Sequence, residues 1–400
     1  MITVEEALKL VLAQTKDFGI EKLPLLHSIG RILAEPVLAD RDFPPFNRVT
    51  MDGIAINYEQ FAQGKRQYAI EGIHAAGSKA VTLADEANCI EVMTGAVLPA
   101  NTDVVIPYEQ CLISVGVAIV TAEKINKDQN IHKAGSDARE GVVLVEKYEK
   151  ITPAVISILA SVGRAFVEVL RLPKVAICST GEELVDIEQV PEPHQIRRSN
   201  LYAIAAALIP LGIDVIMDHL PDQPEQMKLQ VAQLMGRNDV ILFSGAVSKG
   251  KFDYLPQVLA DLGLQTVFHK VAQKPGKPLL FGIFNKGPVV FGFPGNPAST
   301  FVCFYIFFLP WLRASMHLKQ QSLTAILQKE IFFKPNLDYH LLVQISIIDG
   351  CINALPVENT NSGDMVALVK AHGVITLPAE KQIFLKGEAF IFTSFSNNHL

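Results

Sequence analysis

The 400-residue chain is 49% hydrophobic and 19% charged, which excludes a disordered polypeptide and allows large buried cores. It is too long for one ordinary core, so about two to four domains are expected. The net charge is −6 with no long basic run, which argues against nucleic acid as the main partner.

In chain order, Thr3 is a good N-cap with acids in the turn that follows, and apolar residues then recur at helical spacing through Ala7, Leu8, Leu10, Val11 and Leu12. A second helix is expected in ITPAVISILASVG (151–163), capped by Thr152, opened by Pro153 and stopped at Gly163. Between them, AVTLADEANCIEVMTG, DVVIPYEQC and VGVAIVTAE read as short strands and turns. A β-rich domain over 44–140 is therefore inserted into a discontinuous, helix-containing domain made of 1–43 and 141–170.

Residues 171–320 alternate strand and helix. KVAICST, DVIMDHL and DVILFSG are strands, separated by the helices SNLYAIAAALIPLG and PEQMKLQVAQLMG. FDYLPQVLADLG is a further helix, TVFHKVA, LLFGIF and VVFGFPG are strands, and a long helix starts at Asn296. Near-continuous apolar strands joined by helices predict a largely parallel, doubly wound α/β sheet. Residues 321–400 return to short strands such as YHLLVQISI and GVITLPA, a small all-β domain. The apolar run FVCFYIFFLPWL (301–312) is shorter than a membrane span and contains Pro310, so it reads as a buried core helix and not as a membrane segment. The five cysteines have no metal-ligand spacing and read mainly as buried free thiols. With no secretory apolar segment near Met1, they point to the cytoplasm.

Open α/β sheets bind ligands outside the carboxyl ends of their strands. Four such ends carry polar, Gly-rich loops. In SGAVSKGKFD (244–253), small residues such as Gly245 let backbone N–H groups approach an anion, Ser244 and Ser248 offer hydroxyls, and Lys249 and Lys251 offer charge. Asp253 there either caps the next helix or holds a divalent cation. In FPGNPAS (293–299), Pro294, Gly295, Asn296, Pro297 and Ser299 form a turn into a helix whose N-terminus suits an oxyanion, with Asn296 as its cap. CSTGEEL (178–184) supplies Glu182 and Glu183, and Glu183, Asp222 and Asp253 together make an oxygen-rich set suited to Mg²⁺. In KPGKP (274–278), Pro275 and Pro278 stiffen a turn at Gly276, so that Lys274 and Lys277 can face one anion. The Rossmann dinucleotide fingerprint, the P-loop, the nucleophile elbow and the zincin helix are all missing from the sequence.

These motifs, in this order, resemble the MoeA family of molybdopterin molybdenumtransferases, whose relatives include the gephyrin E domain. The resemblance runs almost end to end through PPFNRVTMDGIAI (44–56), MTGAVLPANTDVVIPYE (93–109), GSD (135–137), STGEEL, SGAVSKGKFDY, KPGKP and FPGNPAS. It implies an elongated four-domain homodimer with a MogA-like molybdopterin-binding α/β domain, an inserted β-rich domain, an elongated α+β domain and a C-terminal β-barrel-like domain. It implies insertion of molybdate into adenylylated molybdopterin with release of AMP and a need for Mg²⁺. It also implies transient contact with the molybdopterin adenylyltransferase and with apo-molybdoenzymes. Carried over by motif, Asp52, Thr94, Asp137, Glu183, Asp222 and Asp253 match positions tied to activity. Ser248, Lys274, Lys277 and the Pro294–Pro297 turn match ligand-binding positions. The chain departs from the family at Asn47-Arg48, at Arg197-Arg198 (usually Tyr-Asp), at Ala246 (usually Gly) and at Gln273 (commonly Met). Two other functions fit the same scaffold: a non-catalytic binding or scaffold protein, which those departures favour, and molybdopterin adenylylation, which the extra β-rich regions disfavour.

Overall fold

The computed structural model describes residues 1–245, 247, 253–319, 322–358 and 360–396. It divides into two compact units, one of residues 1–21 with 170–400 and one of residues 22–169.

In the larger unit, six strands form a mixed sheet in the order Val215–Leu220, Val175–Thr180, Val240–Ser244, Val289–Phe293, Leu280–Ile283, Gln265–His269. The first four are mutually parallel, and Leu280–Ile283 runs antiparallel between its neighbours. Val175–Thr180, Val240–Ser244 and Val289–Phe293 are buried at every position, as strands covered on both faces must be. Helices Asn200–Leu208 and Pro224–Met235 make the crossovers. The chain leaves Val175–Thr180 outward to Val215–Leu220 and returns on its other side to Val240–Ser244, which makes a topological switch point between the two.

The apolar run 301–312 lies in one helical rod, Pro297–Ser315, of 19 residues. It extends past the run at both ends and contains a π-helical turn, Phe304–Phe308, just before Pro310. Such a turn re-registers the backbone where proline removes a donor. By length and composition this rod could cross a membrane, but it is mostly buried: Phe304, Phe307, Phe308 and Trp311 have no exposed surface. Burial of each such aromatic contributes about 2–3 kcal/mol. Trp311 packs edge-on to Phe18 at 6.1 Å, and its indole N–H donates to the Gln14 carbonyl at 2.7 Å. The N-terminal stretch, expected from sequence to join residues 141–170, thus packs with the larger unit, because the Trp311 cluster needs an apolar and an acceptor partner. Its helix, Val4–Leu12, has the expected Thr3 cap, completed by Glu6 as a capping box.

The C-terminal strands close into a small five-stranded barrel. Asp338–Ile348 pairs with Cys351–Pro356, which leads through Leu323–Leu327, Ala389–Ser394 and Gly373–Leu377 back to Asp338–Ile348. It is not purely β, since helix Met365–Lys370, capped by Asp364, crosses between strands. In the smaller unit, a six-stranded sheet spans Gly53 to Val120 over a core of Ile54, Ile56, Tyr68, Val104 and Ile106. A separate cluster there gathers Leu33, Val37, Ile151, Leu159, Val167 and Val169. Of the cysteines, Cys89, Cys178 and Cys303 are buried, Cys111 is half-buried and Cys351 is exposed, all as free thiols.

A buried polar chain ties the barrel to the α/β layer. His340 Nε2 meets Gln273 Oε1 at 3.1 Å, His340 Nδ1 meets Thr376 Oγ1 at 3.0 Å, and Gln273 Nε2 donates to the Gly276 carbonyl at 2.9 Å. The departure at Gln273 is thereby explained: its amide answers a histidine where a thioether could not. Burial lowers the His340 pKa from 6.5 to about 4. Between those values the unfolded chain binds a proton that the folded chain does not, so stability falls as pH drops through this window. Urea unfolding followed by Trp311 fluorescence should show the wild type losing up to about 3 kcal/mol between pH 6.5 and 4 beyond any loss in His340→Gln.

Candidate functional site

Ser179 is in register with Ser244, and Ser244 with Phe293, so three parallel strands end level. Beyond their carboxyl ends opens a cavity of about 950 Å³, at the switch point. Its walls are residues 179–184, 196–201, 244, 245 and 247, 294–297, Asp222, Asp253, Tyr254 and Pro278. Three of the four loops expected from sequence meet here: CSTGEEL, the start of SGAVSKGKFD, and FPGNP. Ser248 and Lys249, together with Lys251 and Ala246, lie outside the described residues.

The floor is held by Asn200, whose side-chain amide donates to Ser244 Oγ at 2.8 Å and to the Gly295 carbonyl at 2.8 Å. Gly245 has φ +104° and its backbone N–H donates to the Phe293 carbonyl at 3.1 Å. A Cβ there would stand 3.1 Å from the Thr180 carbonyl and hydroxyl, so the strand ends approach too closely for a side chain. The Thr180 hydroxyl is buried and has no partner among the described residues, which leaves a donor in the cavity wall.

Asn296 occupies the N-cap position of the rod beginning at Pro297 but does not cap it. Its amide donates instead to Ser362 Oγ at 2.8 Å, while the Ser362 carbonyl accepts from the Ala298 N–H at 3.1 Å. The segment around Ser362 therefore covers part of the helix end that was expected to face an anion. Ser299 is buried on the first turn of that helix and is not part of the cavity wall.

Four carboxylates line the cavity. Glu182 and Asp222 are reciprocally bonded, each backbone N–H donating to the other's carboxylate at 3.3 and 3.4 Å. Glu183 folds back over Gly181, where an added Cβ would lie 2.5 Å from its Oε2. Burial raises the Asp222 pKa, the Glu182 N–H bond opposes this, and the charges of Glu182 and Glu183 add to the rise. Asp253 shares the wall and stands just before helix Leu255–Asp261, with Tyr254 between them. Among the described residues no group of three or more acids, histidines or cysteines is arranged to hold a metal. Glu183, Asp222 and Asp253 share one cavity but form no ready-made ligand set. Hard oxygen donors that supply one or two ligands still fit Mg²⁺, which keeps several waters and takes phosphate oxygens.

The KPGKP turn is anchored elsewhere. Gln273–Lys274 pairs in parallel with Asp338–Tyr339 of the barrel. The Lys274 ammonium stands 5.5 Å from the ring centres of both Phe333 and Tyr339. Lys274, Pro275, Gly276 and Lys277 are not part of the cavity wall, and of this turn only Pro278 is. Lys274 and Lys277 are both exposed outside this cavity, and the Lys274 charge meets two aromatic faces. Gly276 has φ +91° and an added Cβ would lie 2.3 Å from Cys303 Sγ, so glycine is required there.

Asp52, Thr94 and Asp137 belong to the smaller unit. Thr94 donates through both its N–H and its hydroxyl to Asp52 Oδ1 at 2.7 Å. These bonds lower the Asp52 pKa. His132 Nε2 lies 2.8 Å from Asp137 Oδ1, and Arg48 reaches His132 Nδ1 at 3.0 Å.

The sequence matches the family model described as MoeA N-terminal region (domain I and II) over residues 2–163 and the one described as "Probable molybdopterin binding domain" over residues 176–314. A molybdopterin molybdenumtransferase of Synechocystis is 40% identical over 398 residues, covering 98% of this chain and 99% of its own. Another, of Staphylococcus epidermidis, is 32% identical, covering 96% of this chain and 94% of its own. A crystal structure of a molybdopterin biosynthesis MoeA protein from Pyrococcus horikoshii superposes with a TM-score of 0.86 at 28% identity, over 99% of this chain and all of its own. The chain belongs to the MoeA family.

For this MoeA chain, sequence reasoning missed Asn200 as a floor residue and Tyr254 and Pro278 as wall residues. Asn200 reads in the sequence only as the start of a helix, and nothing local marks its reach to two other loops. Its loss would strand the buried Ser244 hydroxyl and the Gly295 carbonyl. Asn200→Ala should destabilise the larger unit by about 2 kcal/mol in urea denaturation, whereas a surface helix-start substitution would cost less than about 0.5 kcal/mol.

Proposed function

We propose that this chain is a molybdopterin molybdenumtransferase that inserts molybdate into adenylylated molybdopterin and releases AMP. The observation that carries the reading is the switch-point cavity itself, where hydroxyls, a glycine-lined floor, carboxylates and guanidinium groups meet in one space large enough for a nucleotide-sized ligand. The hydroxyls of Ser244 and Thr180 would bind and orient a phosphate at the floor. Tyr254, Pro278 and Leu201 give the ring system an apolar wall. Glu183, Asp222 and Asp253 are the groups that would hold Mg²⁺, which supplies neutralisation of phosphate charge when bound. No covalent intermediate on the protein is required. Asp52 and Asp137, each fixed by hydrogen bonds, retain their part by the family match of their motifs. The same reading carries a cytoplasmic homodimer that takes its substrate from an adenylyltransferase and passes its product to apo-molybdoenzymes.

The test is AMP release from adenylylated molybdopterin by the purified chain, with molybdate, with and without Mg²⁺. Release should need both, and the product should reconstitute an apo-molybdoenzyme. Asp222→Asn should cut the rate by at least about tenfold with little change in stability. Tight binding without AMP release would instead identify a non-catalytic binding protein.

A further inference from the structure

Arg197 and Arg198 are the basic residues of the cavity wall among the described residues, and the same wall carries four carboxylates. Arg197 ends the short strand Ile196–Arg197, which pairs in parallel with Leu184–Val185, and Arg198 follows it. Backbone bonds from Ile196 N–H to the Glu183 carbonyl at 2.8 Å and from Arg198 N–H to the Val185 carbonyl at 3.0 Å lock this pairing. The arginines are thereby held one strand away from the Glu183 stretch.

The two guanidinium groups differ. Arg198 is mostly covered and ion-paired with Asp186. Arg197 is exposed and uses only its Nε, which donates to the Gln189 carbonyl at 3.0 Å. Its two terminal nitrogens have no partner among the described residues. A guanidinium tethered through Nε presents its outer fork in a fixed plane, the geometry for two parallel bonds to a phosphoryl group. The floor hydroxyls of Thr180 and Ser244 are deeply buried, whereas Arg197 is on the rim. A ligand with one phosphate at the floor therefore offers its outer phosphoryl group, the one toward solvent, to Arg197.

We infer that Arg197 is a specificity residue for the adenylyl phosphate, the group that distinguishes adenylylated molybdopterin from molybdopterin and leaves as AMP. This rests on the proposed function. The experiment measures, on the full chain, the KM and kcat of AMP release, inhibition by added AMP, and the Kd for molybdopterin. Arg197→Gln is compared with wild type, since glutamine can keep the bond to Gln189. The expected result is a roughly tenfold rise in KM and a similar weakening of AMP inhibition, with molybdopterin Kd changed by less than about twofold. AMP inhibition should also weaken with added salt in the wild type and much less in the variant. Unchanged AMP inhibition in Arg197→Gln, or equal weakening toward molybdopterin, would overturn the assignment while leaving the transferase reading intact. A wild type that neither releases AMP nor binds molybdopterin would sink both.

Discussion

The level ending of three parallel strands is the constraint on which the site depends. Because Ser179, Ser244 and Phe293 share one register line, the loops that follow them must share one space. Nothing in those loops has to search for its neighbours. What they do need is room, and the close approach of strand ends removes it: Gly245 packs against Thr180, and Gly295 lies within reach of Gly245. Small residues at these points are a consequence of the register. Asn200, arriving from the first crossover helix, then bonds two of the loops together.

A second constraint comes from the barrel. Its strand Asp338–Ile348 takes Gln273–Lys274 as a parallel neighbour and secures it through the buried His340 and Thr376 pair. The turn that looked like a free anion clamp is thus a structural joint between the barrel and the α/β layer. Cation–π contact at 5.5 Å is worth about 0.5–1 kcal/mol for an exposed lysine, a bias toward this place for Lys274.

Much of this was legible in the sequence. Fully apolar strands alternating with capped helices announced a doubly wound sheet, and the polar text at its strand ends located the cavity. The misreadings have a common origin. Asn296 was expected to cap its own helix, but Ser362, some 66 residues on, offered a better partner. Lys274 was expected to face an anion with Lys277, and its contact with aromatic residues of the barrel was not foreseen. For Asn296 and Lys274 the local chemistry was read correctly, and a contact distant in sequence was not foreseen. Pairing across the chain is not written in any single segment, which is also why Asn200 passed as an ordinary helix start.

The acids of the cavity carry one more implication. Glu182 and Asp222 are held against each other with Glu183 nearby; burial first, and then the charges of Glu182 and Glu183, push the Asp222 pKa upward. Like charges kept together at a cost are relieved by a cation. Yet no three described acids are grouped as ligands, so protein donors alone would hold a divalent ion weakly. A ligand that brings phosphate oxygens completes what the carboxylates leave unfilled, and the ion in turn removes the repulsion between that ligand and the acids. Under the proposed function, cation and nucleotide-bearing substrate therefore bind cooperatively, each strengthening the other by the same factor. Under the same reading, loss of AMP with its phosphate would remove this advantage and weaken the hold of the carboxylates on the cation.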